Sequence, residues 1–273
     1  MIWEYSQKSA LKLSEKELEV FSHSVYSKNP PRLCCQYCKS QMAKLNFKQD
    51  PCQGGVTDTH VEVCQACGWW VVTHYVGYSY GYEGFVGVNR AAGSLRNLDL
   101  TDISTPSQDI GRYLLTRYDD RFWLNPKKYE DIVAGVFSDF GFRVRVTSYS
   151  HDDGIDIFVF DGNDDKTVGI QVKRYRGKIG VEQIRSFAGA LLLNGLTTGI
   201  FVTTSQFTAG AANTSLRYGE AGIGIELWDA EKFYDKLQLS KLRQFTFVDD
   251  TESPYFSLIR NTNEVPQVYG RGW

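Results

Sequence analysis

Two neighbouring segments of the chain bring together a carboxylate, an amide and a lysine. The segment GIDIFVF contains Asp156, and the segment TVGIQVKRY contains Gln171 and Lys173. Because Gln171 and Lys173 are two residues apart, their side chains share one face of an extended strand. If the turn between the two segments is centred between Asn163 and Asp164, Asp156 lies opposite Gln171. One hairpin would then gather all three groups.

These three side chains suit one kind of chemistry. Carboxylate and amide oxygens are ligands for Mg²⁺, which binds to one or two protein carboxylates, waters and phosphate oxygens. Hydrolysis of a phosphodiester needs an activated water and stabilisation of the charge that develops on phosphorus and on the leaving oxygen, and a metal with an adjacent ammonium supplies both. The alternative is that Asp153 and Asp156 flank an ordinary turn and that Lys173 is a solvated strand residue.

Regular secondary structure is predicted around this hairpin. Apolar residues recur at helical spacing over residues 127–140, and Gly141 ends that helix. The elements expected after it are the strands FRVRVTSY, GIDIFVF and TVGIQVKRY, a helix at 181–193, the strand TGIFVTTS, a helix at about 208–218, the strand GIGIELWD and the helix AEKFYDKL. The order αβββαβαβ predicts an α/β fold with a mixed sheet flanked by helices.

The motif D-G-I-D followed by Q-V-K resembles the catalytic domain of Mrr-type restriction endonucleases, in the PD-(D/E)xK nuclease superfamily. Asp153-Gly154-Ile155-Asp156 and Gln171-Val172-Lys173 carry the resemblance. It extends over about residues 127–237, including KKYEDIVAGVFSDFGF upstream and GIFVTTSQFTAGA downstream. The resemblance therefore implies a restriction-endonuclease-like fold.

The resemblance also implies roles for individual residues. Asp156, Gln171 and the backbone carbonyl of Val172 are expected to bind Mg²⁺ or Mn²⁺, and Lys173 to activate water or stabilise charge. Glu130 matches the helix acid that such domains place near the metal, although a surface Glu beside an apolar stripe is also commonly just solvated. Many relatives have Glu where this chain has Gln171, so metal affinity without DNA is expected to be weak.

Basic residues follow the catalytic strand directly. Arg174, Arg176 and Lys178 are placed where a phosphate backbone passing the metal would contact them, unless they are only a solvated charge run. Gln183, Thr204 and Ser205 resemble positions that line the cleft of Mrr-type domains, and hydroxyls at such positions alternatively cap a helix. The predicted DNA-binding residues are thus Arg174, Arg176, Lys178, Gln183, Thr204 and Ser205.

Two C-x-x-C pairs predict a separate metal site in the N-terminal part. Cys35 and Cys38 are followed, after a spacer of 25 residues, by Cys64 and Cys67, which is the arrangement of a zinc ribbon. Four thiolates complete the tetrahedral coordination of Zn²⁺, so this zinc would be structural. Buried free thiols are the alternative, and Cys34 is a possible substitute for Cys35.

An aromatic segment follows the ribbon cysteines. Residues 69–85 contain two tryptophans, four tyrosines and a phenylalanine. Such side chains either stack on an unpaired base or cover the strands of a ribbon that has little core of its own, and the second role is the commoner one. Both readings stay open from the sequence.

Composition and charge limit the remaining possibilities. The chain has 273 residues, a formal net charge of -2 and a pI near 6.1, so contact with nucleic acid must be local and not a general property of the surface. No apolar run approaches the roughly 18 residues of a membrane span, and we expect a cytoplasmic protein. The predicted domains are an N-terminal helix and zinc ribbon (1–85), a connecting helical region (86–125), the nuclease domain (126–240) and a C-terminal extension (241–273).

These expectations combine into a functional hypothesis. The chain is predicted to be a metal-dependent endodeoxyribonuclease of the type IV restriction class, with a role in prokaryotic antiviral defence that only the resemblance suggests. Its expected partners are DNA, a second copy of the chain and a protein of a defence system. The alternatives are a non-catalytic zinc-ribbon adaptor that binds nucleic acid or protein, and a nuclease that acts on RNA or only after a partner activates it.

Overall fold

The computed structural model describes residues 2–5, 34–52, 55–80, 83–147, 154–160, 166–244 and 268–272. The chain divides into two compact units, one of residues 98–244 and the other of residues 1–97 together with 245–273. The helix predicted at residues 14–26 lies outside the described residues. No helix within the described ranges has both the length and the apolar character that crossing a bilayer requires.

The unit that contains the cysteines is built on one antiparallel sheet. Its strands are β1 (Trp3–Tyr5), β2 (Met42–Cys52), β3 (Gly55–Cys64), β4 (Trp70–Tyr80), β5 (Glu83–Leu95) and β11 (Val268–Gly272). The order is β1-β5-β4-β3-β2, and β11 also pairs with β5. Strands β2 to β5 have 10 to 13 residues each. Residues 86–95, expected in a connecting helical region, belong to β5.

The second unit is a five-stranded mixed sheet with helices. Its elements, in chain order, are α1 (Ser107–Leu114), a 3₁₀ segment (Tyr118–Trp123), α2 (Pro126–Asp139), β6 (Arg143–Val146), β7 (Ile157–Phe160), β8 (Lys166–Lys173), α3 (Val181–Leu193), β9 (Thr198–Thr203), α4 (Ala209–Glu220), β10 (Gly224–Trp228) and α5 (Ala230–Gln244). The sheet order is β10-β9-β8-β7-β6. Strands β8, β9 and β10 are parallel, whereas β6 and β7 are antiparallel to their neighbours. The predicted α/β fold and element order are confirmed.

Helices pack on both faces of this sheet. Helix α2 begins at Pro126 after Asn125, whose side chain accepts a hydrogen bond from the Lys127 N–H and so caps the helix. On the side of α2 and α5, Tyr129 meets Phe233 edge to face, with the ring centroids 5.4 Å apart. The core that includes α3 is formed by residues of β7 and β9 together with Ile184, Phe187 and Leu191.

Strand register sets which side chains share a face. Ile157 pairs with Ile170 and Phe158 with Gly169, which is the register predicted from the sequence. Extended by one residue beyond the paired strands, this register places Asp156 at the level of Gln171. A Cβ built on Gly169 would come within 2.8 Å of the Leu191 side chain, which shows that this face of β8 is the one covered by α3. Because side chains alternate along a strand, Gln171 and Lys173 continue the same face.

The predicted element ends differ from the observed ones where local geometry changes. Within the connecting region, a helix was expected from Thr105-Pro106 to about Tyr118. Helix α1 instead ends at Leu114, and a separate 3₁₀ segment follows at Tyr118–Trp123. Helix α5 continues to Gln244, beyond the predicted end at Leu237. Its last turns are held by a buried ion pair, in which Lys241 lies 2.9 Å from Asp139 of α2.

Candidate active site

The carboxylate of Asp156 is bound to the backbone of the neighbouring strand. Its Oδ2 accepts a 2.6 Å hydrogen bond from the Val172 N–H, and the residue is 7% exposed. The Asp156 N–H donates to the carbonyl of Ile170 at 2.9 Å, just beyond the last pair of the β7–β8 ladder. A strand residue directs its N–H and C=O to the same side, so the Val172 carbonyl faces the side on which Asp156 lies.

Gln171 and Lys173 are on the same strand face but differ in exposure. Gln171 is 8% exposed, and among the described residues its side-chain amide has no hydrogen-bond partner. The oxygen of such an amide can serve as a metal ligand. Lys173 is exposed, and its backbone carbonyl accepts a hydrogen bond from the Thr204 N–H. The ammonium is thus accessible to a substrate at this end of the sheet.

Glu130 is connected to the same end of the sheet through a lysine. The Lys127 ammonium contacts Glu130 Oε2 at 2.7 Å and donates to the Thr147 carbonyl at 2.8 Å. The Thr147 hydroxyl in turn donates to the backbone carbonyls of Ile155 and Asp156. The structure therefore links Glu130 to the Asp156 segment through Lys127 and Thr147.

A glycine explains how the chain enters this segment. Gly154 has a φ of +82°, a conformation that side-chain-bearing residues rarely adopt, and a Cβ there would lie 2.9 Å from Ala190 of α3. Gly154 thus lets the backbone approach the helix closely just before Asp156. Asp153, the first acid of the motif, lies outside the described residues.

The segment after β8, residues 174–178, is called here the basic loop. Three of the side chains predicted to bind DNA instead form hydrogen bonds with the backbone of this loop or of the start of helix α3. The buried Thr204 hydroxyl accepts from the Tyr175 N–H at 2.8 Å and donates to the Tyr175 carbonyl at 2.9 Å. The Ser205 hydroxyl donates to the Gly177 carbonyl. Gln183 accepts from the Gly180 N–H at 3.0 Å and caps its own helix α3. Helix α4 is capped instead by Thr208, so neither Thr204 nor Ser205 has that role.

The basic loop itself is exposed and lies beside the 3₁₀ segment. Arg174, Arg176 and Lys178 are all exposed, as a phosphate contact requires. Arg174 donates to the carbonyl of Phe122, and the Arg176 guanidinium lies 5.2 Å from the centroid of the Phe122 ring. Because the 3₁₀ segment carries no strong sequence pattern, its position here was not predicted.

The four predicted zinc ligands lie together in the other unit. The Sγ atoms of Cys35, Cys38, Cys64 and Cys67 are all within 4.8 Å of one another, and all four residues are buried. The closest pairs are Cys38–Cys64 at 3.4 Å and Cys35–Cys67 at 3.6 Å. A tetrahedral ion with Zn–S bonds of about 2.3 Å separates its sulfurs by roughly 3.8 Å. The cluster is therefore consistent with a zinc site, whereas Cys34 is exposed and outside it.

The thiols influence one another strongly. The hydrogen bond with Cys35 is the largest cause that lowers the pKa of Cys38, and also the largest that raises the pKa of Cys67. Four thiols this close do not all ionise by themselves, because each thiolate disfavours the next. A divalent cation would remove that conflict, which is the electrostatic basis for a closed metal site.

Two tryptophans of the segment 69–85 are buried in the unit that contains the cysteines. Trp69 is 5% exposed and donates through Nε1 to the Gly93 carbonyl at 3.0 Å, and Trp70 is 1% exposed. Trp3 donates to the Cys67 carbonyl at 2.8 Å. These contacts favour the reading in which the two tryptophans cover the ribbon. The side chains of the remaining aromatic residues lie outside the described residues.

The fold and this site together define a restriction-endonuclease-like domain, a mixed sheet between helices that gathers Asp156, Gln171 and Lys173 at one end. Residues 123–237 match the family model Mrr_cat, described as a restriction endonuclease. Among solved structures, the chain is similar to the MspJI restriction endonuclease in complex with a 27-mer oligonucleotide. The identity is 18% and the TM-score 0.33, over 63% of this chain and 39% of that one. No curated protein matches the chain.

Proposed function

We propose that this protein is an endonuclease that hydrolyses phosphodiester bonds of DNA with the help of Mg²⁺ or Mn²⁺, in prokaryotic restriction of foreign DNA. The observation that carries the proposal is the buried Asp156 carboxylate, bonded to the Val172 N–H between Gln171 and Lys173, within residues that match a restriction endonuclease family model. A module that only binds does not need a buried carboxylate, an amide and a lysine at the end of the same strand pair, which favours the enzyme over the adaptor.

The chemistry assigns a task to each side chain. Asp156, Gln171 and the Val172 carbonyl are the oxygens that would hold the cation, and the bound cation supplies polarisation of the scissile phosphate and of water. The exposed Lys173 ammonium stabilises the extra negative charge while water adds to phosphorus and the P–O bond to the leaving oxygen breaks. Glu130, paired with Lys127, keeps a carboxylate at the same end of the sheet.

Substrate binding is assigned to the basic loop. Arg174, Arg176 and Lys178 offer three exposed positive charges within five residues of each other, directly after the strand that carries Lys173. The protein as a whole has a net charge of -2, so this local group of positive charges is where a phosphate backbone is expected to bind. Thr204 and Ser205 position this loop, and Gln183 caps the helix that follows it.

The N-terminal cysteines are assigned a structural Zn²⁺. Their burial and the spacing of their sulfurs leave no position for a substrate, so the zinc would stabilise the ribbon and take no part in hydrolysis. One active site cuts one strand, so a homo-oligomer would be the route to a double-strand break.

The test is cleavage of supercoiled plasmid DNA, duplex oligonucleotides and RNA by the full chain with Mg²⁺, with Mn²⁺ and with EDTA. Asp156→Asn and Lys173→Met should each remove cleavage while Arg217→Ala, which removes an exposed charge at the end of α4, should leave it intact. Metal-dependent cleavage of RNA alone would replace DNA as the substrate. Equal inactivity of all variants, with nucleic-acid binding intact, would favour the adaptor or a nuclease that needs an activating partner.

A further inference from the structure

A tryptophan that the proposed active site does not use lies exposed beside the basic loop. Trp123, the last residue of the 3₁₀ segment, is 63% exposed, whereas Leu124, which follows it, is 1% exposed. The Arg176 guanidinium carbon lies 5.1 Å from the centroid of the Trp123 ring system. A large exposed aromatic ring beside cations, close to a proposed phosphodiesterase site, matches a ligand that carries both a flat ring and negative charge.

The 3₁₀ segment is held firmly against the end of the sheet. Arg121 donates through Nε to the Thr204 carbonyl at 2.9 Å, and its guanidinium lies 4.2 Å from the centroid of the Phe122 ring. Arg174 donates to the carbonyl of Phe122. Trp123 is therefore presented by a fixed backbone, next to the loop that begins one residue after Lys173.

The chemistry of this surface selects one class of ligand. A protein partner would also contact both groups, since Trp and Arg are common at protein interfaces, but the position of the ring beside the proposed nuclease site favours a nucleic acid. A nucleic acid brings phosphates for Arg174 and Arg176 and a flat base for the indole, and aromatic stacking of bases is effective whatever the base. Bases inside a duplex are already stacked, so only an unpaired or extruded base can use the ring.

We propose that Trp123 is a base-stacking residue, which holds an unpaired nucleobase of the DNA strand whose phosphates contact Arg174 and Arg176. The proposal rests on the proposed function, since it places this base beside the strand that is cut. It gives the enzyme a preference for DNA that is locally unpaired near the scissile phosphate.

The experiment measures binding of labelled oligonucleotides by fluorescence anisotropy, with the full chain carrying Asp156→Asn so that DNA stays intact. The probes are a paired duplex, the same duplex with one bulged base, and a duplex in which that bulged position is abasic. Trp123→Ala should weaken binding of the bulged duplex about 10-fold and leave the abasic duplex unchanged. Trp123→Phe should restore most of the loss, and Phe142→Ala, at an exposed phenylalanine of the same unit, should have no effect.

The outcomes separate the two proposals. Equal binding of the bulged duplex by the Trp123→Ala variant and its parent would overturn base stacking, and metal-dependent cleavage by the wild-type chain would still establish the nuclease. An equal loss on the bulged and abasic duplexes would also overturn stacking, because it would indicate a general effect on the loop. If the parent bound none of the probes and the wild-type chain cleaved none of them, both proposals would fall.

Discussion

The N–H of Val172 and the carboxylate of Asp156 are joined by a hydrogen bond of 2.6 Å across two strands. The bond fixes one carboxylate oxygen against the backbone of β8, at the residue whose carbonyl is the third proposed oxygen ligand. The Asp156 carboxylate would thus both stabilise the end of the β7–β8 pair and bind a cation. Substitutions that keep one of these roles and remove the other separate them.

Asp156→Asn and Asp156→Ala should differ in stability and agree in activity. The Asn side-chain oxygen still accepts from the Val172 N–H, whereas Ala leaves that buried donor unpaired, which costs about 1–3 kcal/mol. Both remove the negative charge that would hold the cation, so both should lose cleavage. Urea unfolding and plasmid nicking measure the two effects, and full activity of the Asn variant would contradict the metal role of Asp156.

Gln171→Glu should strengthen metal binding in the absence of DNA. A carboxylate in place of the neutral amide adds a charge next to the cation, and we expect affinity for Mn²⁺ to rise about 10-fold. Without a cation, a second buried carboxylate opposite Asp156 raises repulsion, so the melting temperature in EDTA should fall. Calorimetric titration with Mn²⁺ and thermal melting measure the two shifts.

Gln171→Met is the matched control for this prediction. It preserves the approximate volume and removes the oxygen, so it should weaken Mn²⁺ binding without lowering the melting temperature in EDTA. The side-chain amide has no hydrogen-bond partner among the described residues, so the substitution breaks no hydrogen bond to them. Unchanged Mn²⁺ affinity in both variants would show that Gln171 is not a ligand.

The register that places Asp156 at the level of Gln171 could be predicted from the sequence, because two strands joined by a short turn can pair in only a few registers. The alternation of GIDIFVF and TVGIQVKRY places the acid, the amide and the lysine on one face only if the turn is centred near residue 163. The observed pairing of Ile157 with Ile170 confirms that register, and the irregularity lies farther along, between Val159 and Phe160. Local periodicity was sufficient here.

Contacts between distant segments could not be predicted in this way. The hydroxyl of Thr204 bonds to Tyr175, 29 residues away, and Arg121 reaches the Thr204 carbonyl from a segment without helical or strand periodicity. The spacing of residues along the sequence does not predict such contacts, because only the tertiary fold brings these segments together. Lys127 is different: it lies three residues before Glu130 on the same helix face, and that spacing alone could have indicated the ion pair.

Removal of zinc should destabilise the cysteine-containing unit. Four buried sulfurs within 4.8 Å of one another repel when ionised, and the bound cation is expected to offset this. The purified chain should contain about one zinc ion, and Cys64→Ser should lose it together with resistance to proteolysis. Native mass spectrometry measures the metal content.

Cys34→Ser is the matched control for the zinc prediction. Cys34 is adjacent to Cys35 in sequence but exposed and outside the cluster, so its substitution should leave zinc content and protease resistance unchanged. Loss of zinc in Cys34→Ser, with retention in Cys35→Ser, would instead show that Cys34 is the ligand.

Thr204→Val should weaken DNA binding even though this side chain is fully buried. The substitution keeps the shape of the residue and removes the hydroxyl that bonds to both the N–H and the carbonyl of Tyr175. We expect a loss of about 1–2 kcal/mol in stability. Because the basic loop must then be ordered on binding, affinity for duplex DNA should fall about 3- to 10-fold.

Thr204→Ser distinguishes this positioning role from direct contact with DNA. Serine keeps the hydroxyl and both hydrogen bonds to Tyr175, so its DNA affinity should stay close to that of the wild-type chain, at a small cost from the lost methyl group. A direct phosphate contact would behave differently, because Arg176→Ala should reduce the slope of affinity against salt by about 1, whereas Thr204→Val should leave that slope unchanged. A reduced slope for Thr204→Val would mean that residue 204 acts on the phosphates and not only on the loop.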